Sequence, residues 1–369
     1  MSTDLVGELL AAGALPAGHA PAFRAAPRER FVPDRIWYRH QDADIAVDRT
    51  AEPEHWLSAV DSDRALVTQF DDGATAWPQV GRVPTSSASM PSVVAGMLRA
   101  LEPAPGRAVL EVGTGTGWNA ALLAELVGPS GHVSTVEIDP AATARAAALL
   151  GGFPQVSVLS GDAAEELPGG RFDRLIATAG LRRLPHSWVQ RVVPGGVIVA
   201  PMRADMASGP LVRFVVGADG VARGRAVPDL QVAFMDLRAQ RTPALDLRGL
   251  RWDDESADRS HTDLAPWVPL LADDHRWPVA VALPGCRSQV WPATGQRPGV
   301  AWLVDPGSGS WASVVADGSR YAVRQSGPRR LWDLAESAYR EWQARGAPPM
   351  SAWEWVVTPQ RQTVRLPGE

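Results

Sequence analysis

Glycines at positions 113, 115 and 117 stand directly behind a short apolar run (Val109, Leu110, Val112) and ahead of a helical pattern through Ala120, Leu122, Leu123, Leu126 and Val127. A strand, a tight turn and a helix in that order bring backbone close to a ligand, because glycine adopts the required conformations and the first helical N–H groups are unpaired donors. Two further strand-like segments end in acids. Residues 132–136 run into Glu137, placed to accept both hydroxyls of a ribose, and residues 156–159 run into Gly161 and Asp162, where a carboxylate can accept from an adenine amino group. A pyrophosphate-binding loop would carry its third glycine at position 118, which here is Trp118. Three acids (Glu111, Glu137, Asp162) at successive strand ends around a GxGxG turn suit a ligand with adenosine and no phosphate, S-adenosylmethionine.

A second chemical feature is the hydroxyl-rich stretch TSSASMPS, residues 85–92, before the helix of residues 93–101. It reads in two ways. Ser89 or Ser92 could cap that helix, or Ser89, just upstream of the first strand of the ligand-binding fold, could face a substrate.

Around these residues the pattern from 105 to 201 alternates regularly, with strands at 108–112, 132–136, 156–159, 174–178 and 196–200 and helices at 118–127, 140–150 and 186–191. This is a doubly wound parallel α/β sheet, which binds ligands outside the carboxyl ends of its strands. Residues 211–216 and 221–227 flank an Ala218-Asp219-Gly220 turn and predict a hairpin that, with a strand at 232–237, completes the sheet. Upstream, residues 4–12 predict a helix capped by Thr3 or Asp4, and residues 37–84 an irregular subdomain with small cores around Trp56 and Trp77. Downstream, residues 241–276 predict a linker or long loop. Short strands are expected at 279–283, 300–304, 311–315 and 320–324, a helix over 329–345, and two last strands at 353–357 and 361–366. The division expected is an N-terminal substrate-side part (1–84), a methyltransferase domain (85–244) and a small C-terminal α+β domain (245–369). Ten of the fifteen tryptophans follow residue 241, as an aromatic peptide-binding surface or as ordinary core.

The net charge of −5 with no basic block argues against nucleic acid as a partner. All strongly basic residues are arginine, and a single cysteine, Cys286, excludes an intrachain disulfide. Asp273-Asp274-His275 reads as a solvated turn, so no metal is expected. No apolar run approaches the length of a bilayer span, and a cytoplasmic monomer is expected.

The stretch SMPSVVAGMLRALEPAPGRAVLEVGTGTG (89–117), followed by TVEID (135–139), GD (161–162), FDRLIATAG (172–180) and PGGVIVAP (194–201), resembles the protein-L-isoaspartate O-methyltransferases. RERFVPD (28–34) is similar to that family's entry segment. The resemblance implies a class I methyltransferase fold with Ser89 as the active-site serine. It places Met90, Pro91, Thr178 and Ala179 against a peptide, and Glu111, Gly113, Gly115, Glu137, Asp162 and Ala163 against the cofactor, with Thr114, Gly117, Ile138 and Thr178 completing its pocket. Met90 departs from a position usually small or amide, and Ala163 from the glycine of the usual GDG. The segments VTQFDDG (67–73), ARGR (222–225), FMDLRAQR (234–241) and RQSGPRRLW (324–332) resemble a longer actinobacterial branch that tailors ribosomally made peptides, including lanthipeptides and graspetides. That implies methylation of an ordinary aspartate in a modified precursor peptide, the ester collapsing to aspartimide or isoaspartate. The alternatives are repair of isoaspartyl residues in damaged proteins and a non-catalytic peptide-binding module. A nitrogen methyltransferase is disfavoured, because Ala177-Thr178-Ala179-Gly180 stands where an Asn/Asp-Pro-Pro-aromatic clamp belongs.

Overall fold

The Asp4 carboxylate accepts from the Gly7 N–H at 3.0 Å and starts helix α1 (Leu5–Ala11), as expected of an N-cap. Helix α2 (Ala20–Ala25) follows, and both helices pack with the helix behind the glycine turn into the main core. The computed structural model describes residues 4–241, 255–295 and 298–366. Its contacts divide the chain into two units, Met1–Pro201 with Leu211–Ala239 and Trp355–Thr363, and Met202–Pro210 with Gln240–Glu354 and Val364–Glu369.

In the first unit, residues 37–84 are more ordered than their sequence predicts. Strands β1 (Arg35–His40), β2 (Ala43–Asp48), β3 (Leu66–Phe70) and β4 (Pro84–Ala88) form an antiparallel sheet in the order β2-β1-β3-β4, with helix α3 (Pro53–Val60) against it. Ile36, Tyr38, Val47, Trp56, Leu66 and Ala88 share its core, while the other face is polar apart from buried Trp37, whose ring meets Phe70 edge-on, so three buried residues in a row hide the alternation in so short a run. The first half of the expected hydroxyl loop, residues 85–88, is therefore strand. Thr68 Oγ1 donates to Ser86 Oγ at 3.0 Å and Thr85 Oγ1 to Gln69 Oε1 at 2.8 Å, so these hydroxyls bridge β3 and β4.

Helix α4 (Pro91–Leu101) leads into the doubly wound region: β5 (Ala108–Val112), α5 (Trp118–Val127), β6 (His132–Glu137), α6 (Pro140–Leu150), β7 (Val156–Ser160), β8 (Phe172–Ala177), α7 (His186–Arg191) and β9 (Val192–Pro201). Pairs β5/β6, β6/β7, β5/β8 and β8/β9 are all parallel. The chain winds outward from β5 through β7, then crosses back to β8, which makes the crevice beyond β5 a topological switch point. Strand β10 (Pro210–Val216) runs antiparallel to β9, and β11 (Ala222–Gln231) lies beyond it. Residues 232–237 are not the expected strand, since the pairing there is one parallel bridge between Asp236 and Gly180.

In the second unit, β12 (Asp258–Thr262), β13 (Arg287–Trp291), β14 (Val300–Asp305), β15 (Ser310–Asp317) and β16 (Arg320–Ser326) form an antiparallel sheet ordered β12-β16-β15-β14-β13. Helices α8 (Trp267–Leu270), α9 (Asp273–Ala282) and α10 (Leu331–Ala344) accompany it. The strand expected at 279–283 is instead the end of α9; a short apolar run such as Val279-Ala280-Val281 fits either period. The expected linker contains β12, α8 and the start of α9, while its residues 242–254 lie outside the described residues. Asp273 and Asp274 form the first turn of α9, and His275 rests against Tyr339 and Trp342. Trp277, Trp311, Trp332, Trp342 and Trp353 are buried, favouring core over a binding surface, although Trp291 is exposed. Among the described residues no helix is long and apolar enough to cross a membrane, and no group of three His, Cys, Asp or Glu could hold a metal ion.

The last two strands, β17 (Glu354–Val357) and β18 (Gln362–Arg365), do not join that smaller sheet as expected. They extend the main one, in the order β18-β17-β11-β10-β9-β8-β5-β6-β7. Period-two alternation marks a strand without naming its partner.

Candidate active site

The GxGxG turn joins β5 to α5 with Gly113, Gly115 and Gly117 at φ +96, +53 and +87°. A Cβ at Gly113 would lie 2.5 Å from Thr178 Oγ1, so a side chain there collides with the neighbouring strand end. The turn is thus a cradle built of backbone alone. Trp118, in the first turn of α5, points away from it into the core, where its indole N–H donates to Ala26 O at 2.9 Å and its ring meets Phe23 edge-on.

Glu137, at the end of β6, is aimed at the cradle. Its Oε2 accepts from the Gly115 N–H at 2.9 Å and its Oε1 from the Asp139 N–H at 3.0 Å. Each oxygen keeps a lone pair for a further donor, so the carboxylate is oriented before any ligand arrives. Asp139 caps α6 through Ala141 and Ala142 N–H groups, and its Oδ2 accepts from Gln69 Nε2 at 2.7 Å. Burial opposes ionisation of Asp139, but the bonds from Gln69, Ala142 and Ala141, with the charge of Arg238, hold its pKa below the usual value. Half-buried Ile138 stands between these two acids.

Glu111 is placed differently from Glu137. It is fully buried, accepting from Asn119 Nδ2 at 2.7 Å and from Thr135 Oγ1 at 2.5 Å. Thr114 meets the same Thr135 hydroxyl at 2.6 Å, so both sit beneath the turn and shape it. Burial raises the pKa of Glu111 to about 7 against the Thr135 and Asn119 hydrogen bonds, and the charge of Glu137 adds to the rise.

Asp162 follows β7, its Oδ1 accepting from the Ala164 N–H at 2.8 Å, while Gly161 N–H donates to Glu137 O at 2.9 Å. Ala163 is buried, and its carbonyl accepts from Trp188 Nε1 at 2.8 Å. Thr178, just beyond β8, donates to Gly113 O at 2.5 Å, and half-buried Ala179 follows it. The residues named from the sequence are therefore gathered at one edge of the parallel sheet.

Ser89 connects β4 to α4 beside that edge. A Cβ at Gly115 would come within 3.7 Å of Ser87 O, so the serine strand lies over the glycine turn. The capping reading of the serines is not what the fold uses. Met90 is the N-cap residue and makes no side-chain cap bond, while the Ser92 N–H donates to Asp63 Oδ1 at 2.8 Å. Among the described residues the Ser89 hydroxyl has no hydrogen-bond partner, and half-buried Met90 and buried Pro91 continue the wall.

Sequence reasoning missed the residues that hold this edge together. Gln69 joins the small sheet to Asp139, and Arg238 Nη2 reaches Asp72 Oδ1 at 2.8 Å. Gln362 of β18 receives the Leu184 N–H on its Oε1 at 2.8 Å and donates to Arg182 O at 3.0 Å, pinning the loop beyond Thr178 and Ala179. These contacts join residues up to 180 positions apart, which local spacing does not reveal. The segments VTQFDDG and FMDLRAQR were the available signal.

Residues 67–240 match the family model described as protein-L-isoaspartate(D-aspartate) O-methyltransferase. The chain is 32% identical over 238 residues to the protein-L-isoaspartate O-methyltransferase of Ignicoccus hospitalis, covering 63% of this chain and 95% of that protein. It is 42% identical over 154 residues to the enzyme of the same name from Anaeromyxobacter dehalogenans, covering 40% of this chain and 71% of that one. A solved structure named protein-L-isoaspartate O-methyltransferase matches the fold over 100% of both chains at 19% identity, with a TM-score of 0.57. The chain belongs to the protein-L-isoaspartate O-methyltransferases, carboxyl O-methyltransferases that depend on S-adenosylmethionine.

Proposed function

We propose that the chain methylates the free carboxylate of isoaspartyl residues in peptides and proteins, and that Ser89 orients that carboxylate. The observation that carries this reading is the position of the serine strand over the glycine turn, with the Ser89 hydroxyl uncommitted. Glu137 would hold the ribose hydroxyls and Asp162 the adenine, while the backbone of residues 113–117 lines the methionine part. When bound, S-adenosylmethionine supplies an activated methyl group.

The chain's own contribution is geometric. A carboxyl with a pKa of about 4 is already ionised at neutral pH, so no side-chain base is needed. Alignment of the acceptor oxygen with the methyl group can supply about 7–11 kcal/mol. Ser89 serves as a hydrogen-bond donor to the carboxylate, not as a nucleophile. Thr178, fixed to Gly113, and Ala179 would wall the peptide side.

A second reading, tailoring of a cyclised precursor at an ordinary aspartate, is supported by the segment resembling the tailoring branch. In residues 234–241, Met235 O accepts from Gly180 N–H at 2.8 Å and Leu237 N–H donates to Gly180 O at 2.9 Å, beside Ala179. A second unit does not by itself favour tailoring, since the fold of the solved structure named protein-L-isoaspartate O-methyltransferase matches the chain over its whole length. Intact-mass analysis with labelled S-adenosylmethionine separates the readings. Labelling of linear isoaspartyl peptides, lost in Ser89→Ala with cofactor affinity kept, supports the first. Labelling or water loss only in cyclised, aspartate-bearing precursors supports the second.

A further inference from the structure

Arg28 lies in a single 3-10 turn, Arg28–Arg30, and is 4% exposed. Its Nη1 donates to Val60 O at 3.0 Å and Ser62 O at 3.2 Å; its Nη2 donates to Arg64 O at 2.8 Å, Ala88 O at 3.1 Å and Ser89 O at 2.9 Å. One guanidinium therefore gathers five carbonyls from two segments remote in sequence. The turn it holds at residues 60–64 returns the grip, because Asp63 accepts the Ser92 N–H at 2.8 Å on the far side of Ser89. The Arg28 Cζ also lies 5.5 Å from the ring centroid of Trp118, the first residue of the helix after the glycine turn. The same cation thus touches both the serine segment and the helix that carries the cofactor cradle.

We propose that Arg28 is a positioning residue for methyl transfer, fixing the Ser89 backbone relative to the glycine turn; this rests on the role given to Ser89 above. Among the described residues no carboxylate lies within ion-pair distance of Arg28, so its charge is met by carbonyl dipoles. A buried cation is costly to keep that way; the five carbonyls on Nη1 and Nη2 offset that cost, while the buried Nε has no hydrogen-bond partner among the described residues. Only the planar arginine fork can span the 60–64 turn and residues 88–89 at once, whereas a lysine presents three donors from one point. Burial draws the Arg28 pKa down to about 9 against the charges of Asp63 and Asp61, leaving it cationic at neutral pH.

The test uses full-length Arg28→Lys, Ser89→Ala and the double variant, with turnover on an isoaspartyl peptide, adenosylhomocysteine affinity by calorimetry, and amide hydrogen exchange. In Arg28→Lys, kcat is expected to fall ~100-fold, the cost of about an ångström of misplacement, with cofactor affinity unchanged and faster exchange confined to residues 88–92. The double variant should be no slower than Ser89→Ala alone, because both act through one group. Unchanged kcat in Arg28→Lys, or losses that multiply in the double variant, would overturn the proposal. Should Arg28→Lys fail to fold, Asp63→Ala loosens the same knot at Ser92. Slower turnover with faster exchange at residues 88–92 then supports the proposal, and wild-type behaviour in both overturns it. A wild-type chain inactive on isoaspartyl peptides would refute the proposed substrate, while the exchange pattern would still judge the positioning.

Discussion

Replacing Glu137 by glutamine separates ligand binding from loop architecture. In the native chain both carboxylate oxygens accept a backbone N–H, from Gly115 at 2.9 Å and from Asp139 at 3.0 Å. Glutamine offers one oxygen and one NH2, so one of those N–H groups must face a donor. Leaving a partly buried donor unmet costs about 1–3 kcal/mol, which should lower the melting temperature without ligand. In the ribose-binding role proposed for Glu137, the hydroxyls would lose a charged acceptor as well, worth about 1.5–3 kcal/mol. At 1.4 kcal/mol per decade, the dissociation constant for adenosylhomocysteine should rise ~10–150-fold. Calorimetric titration and thermal melts on the same preparations read the two effects separately. A lower melting temperature with affinity within about twofold of wild type would refute the ribose role and leave Glu137 as a loop brace.

Glu111→Gln addresses pH. Because the folded pKa of Glu111 is raised, to about 7 from 4.5, its stabilising contribution is complete below about pH 4.5 and is lost as pH rises through 7. A neutral glutamine escapes that loss, so relative to wild type the variant should gain up to ~3 kcal/mol between pH 5 and 8 in urea unfolding; a pH-independent difference would contradict it. Gly113→Ala combines φ +96° with a Cβ 2.5 Å from Thr178 Oγ1. The left-handed conformation alone costs ~1–2 kcal/mol, and adenosylhomocysteine affinity should drop at least ~10-fold, with unchanged calorimetry counting against the cradle. Trp355→Ala, at a site 1% exposed in β17, should cost ~3–5 kcal/mol of folding free energy in denaturant titrations; a loss under ~1 kcal/mol would contradict its burial.

Elements whose information is local were readable in advance. The β5-turn-α5 unit, the acids ending β6 and β7, and the helix α10 all announce themselves through period, glycine spacing or a terminal acid. The small N-terminal sheet did not, because its strands are short and half polar, and its core depends on residues as distant as Ile36 and Ala88. The same limit explains Glu111: its place in the motif suggests a ligand contact, yet only the fold shows it fully buried, with one oxygen held by Asn119 and the other by Thr135. Arg28 stood within a quoted segment without a visible task, since each of its carbonyl partners lies at least 32 residues away.

The late arrival of β17 and β18 bears on synthesis. About 120 residues separate the end of β11 from the start of β17. At ~5–20 residues per second, the ribosome takes ~6–25 s to add them. Throughout that interval the outer side of β11 has no neighbour on a sheet whose parallel core is already made, and such an edge invites pairing with another chain. Chaperone demand should therefore concentrate in that window, and synonymous codons that lengthen it should lower soluble yield without altering the finished protein.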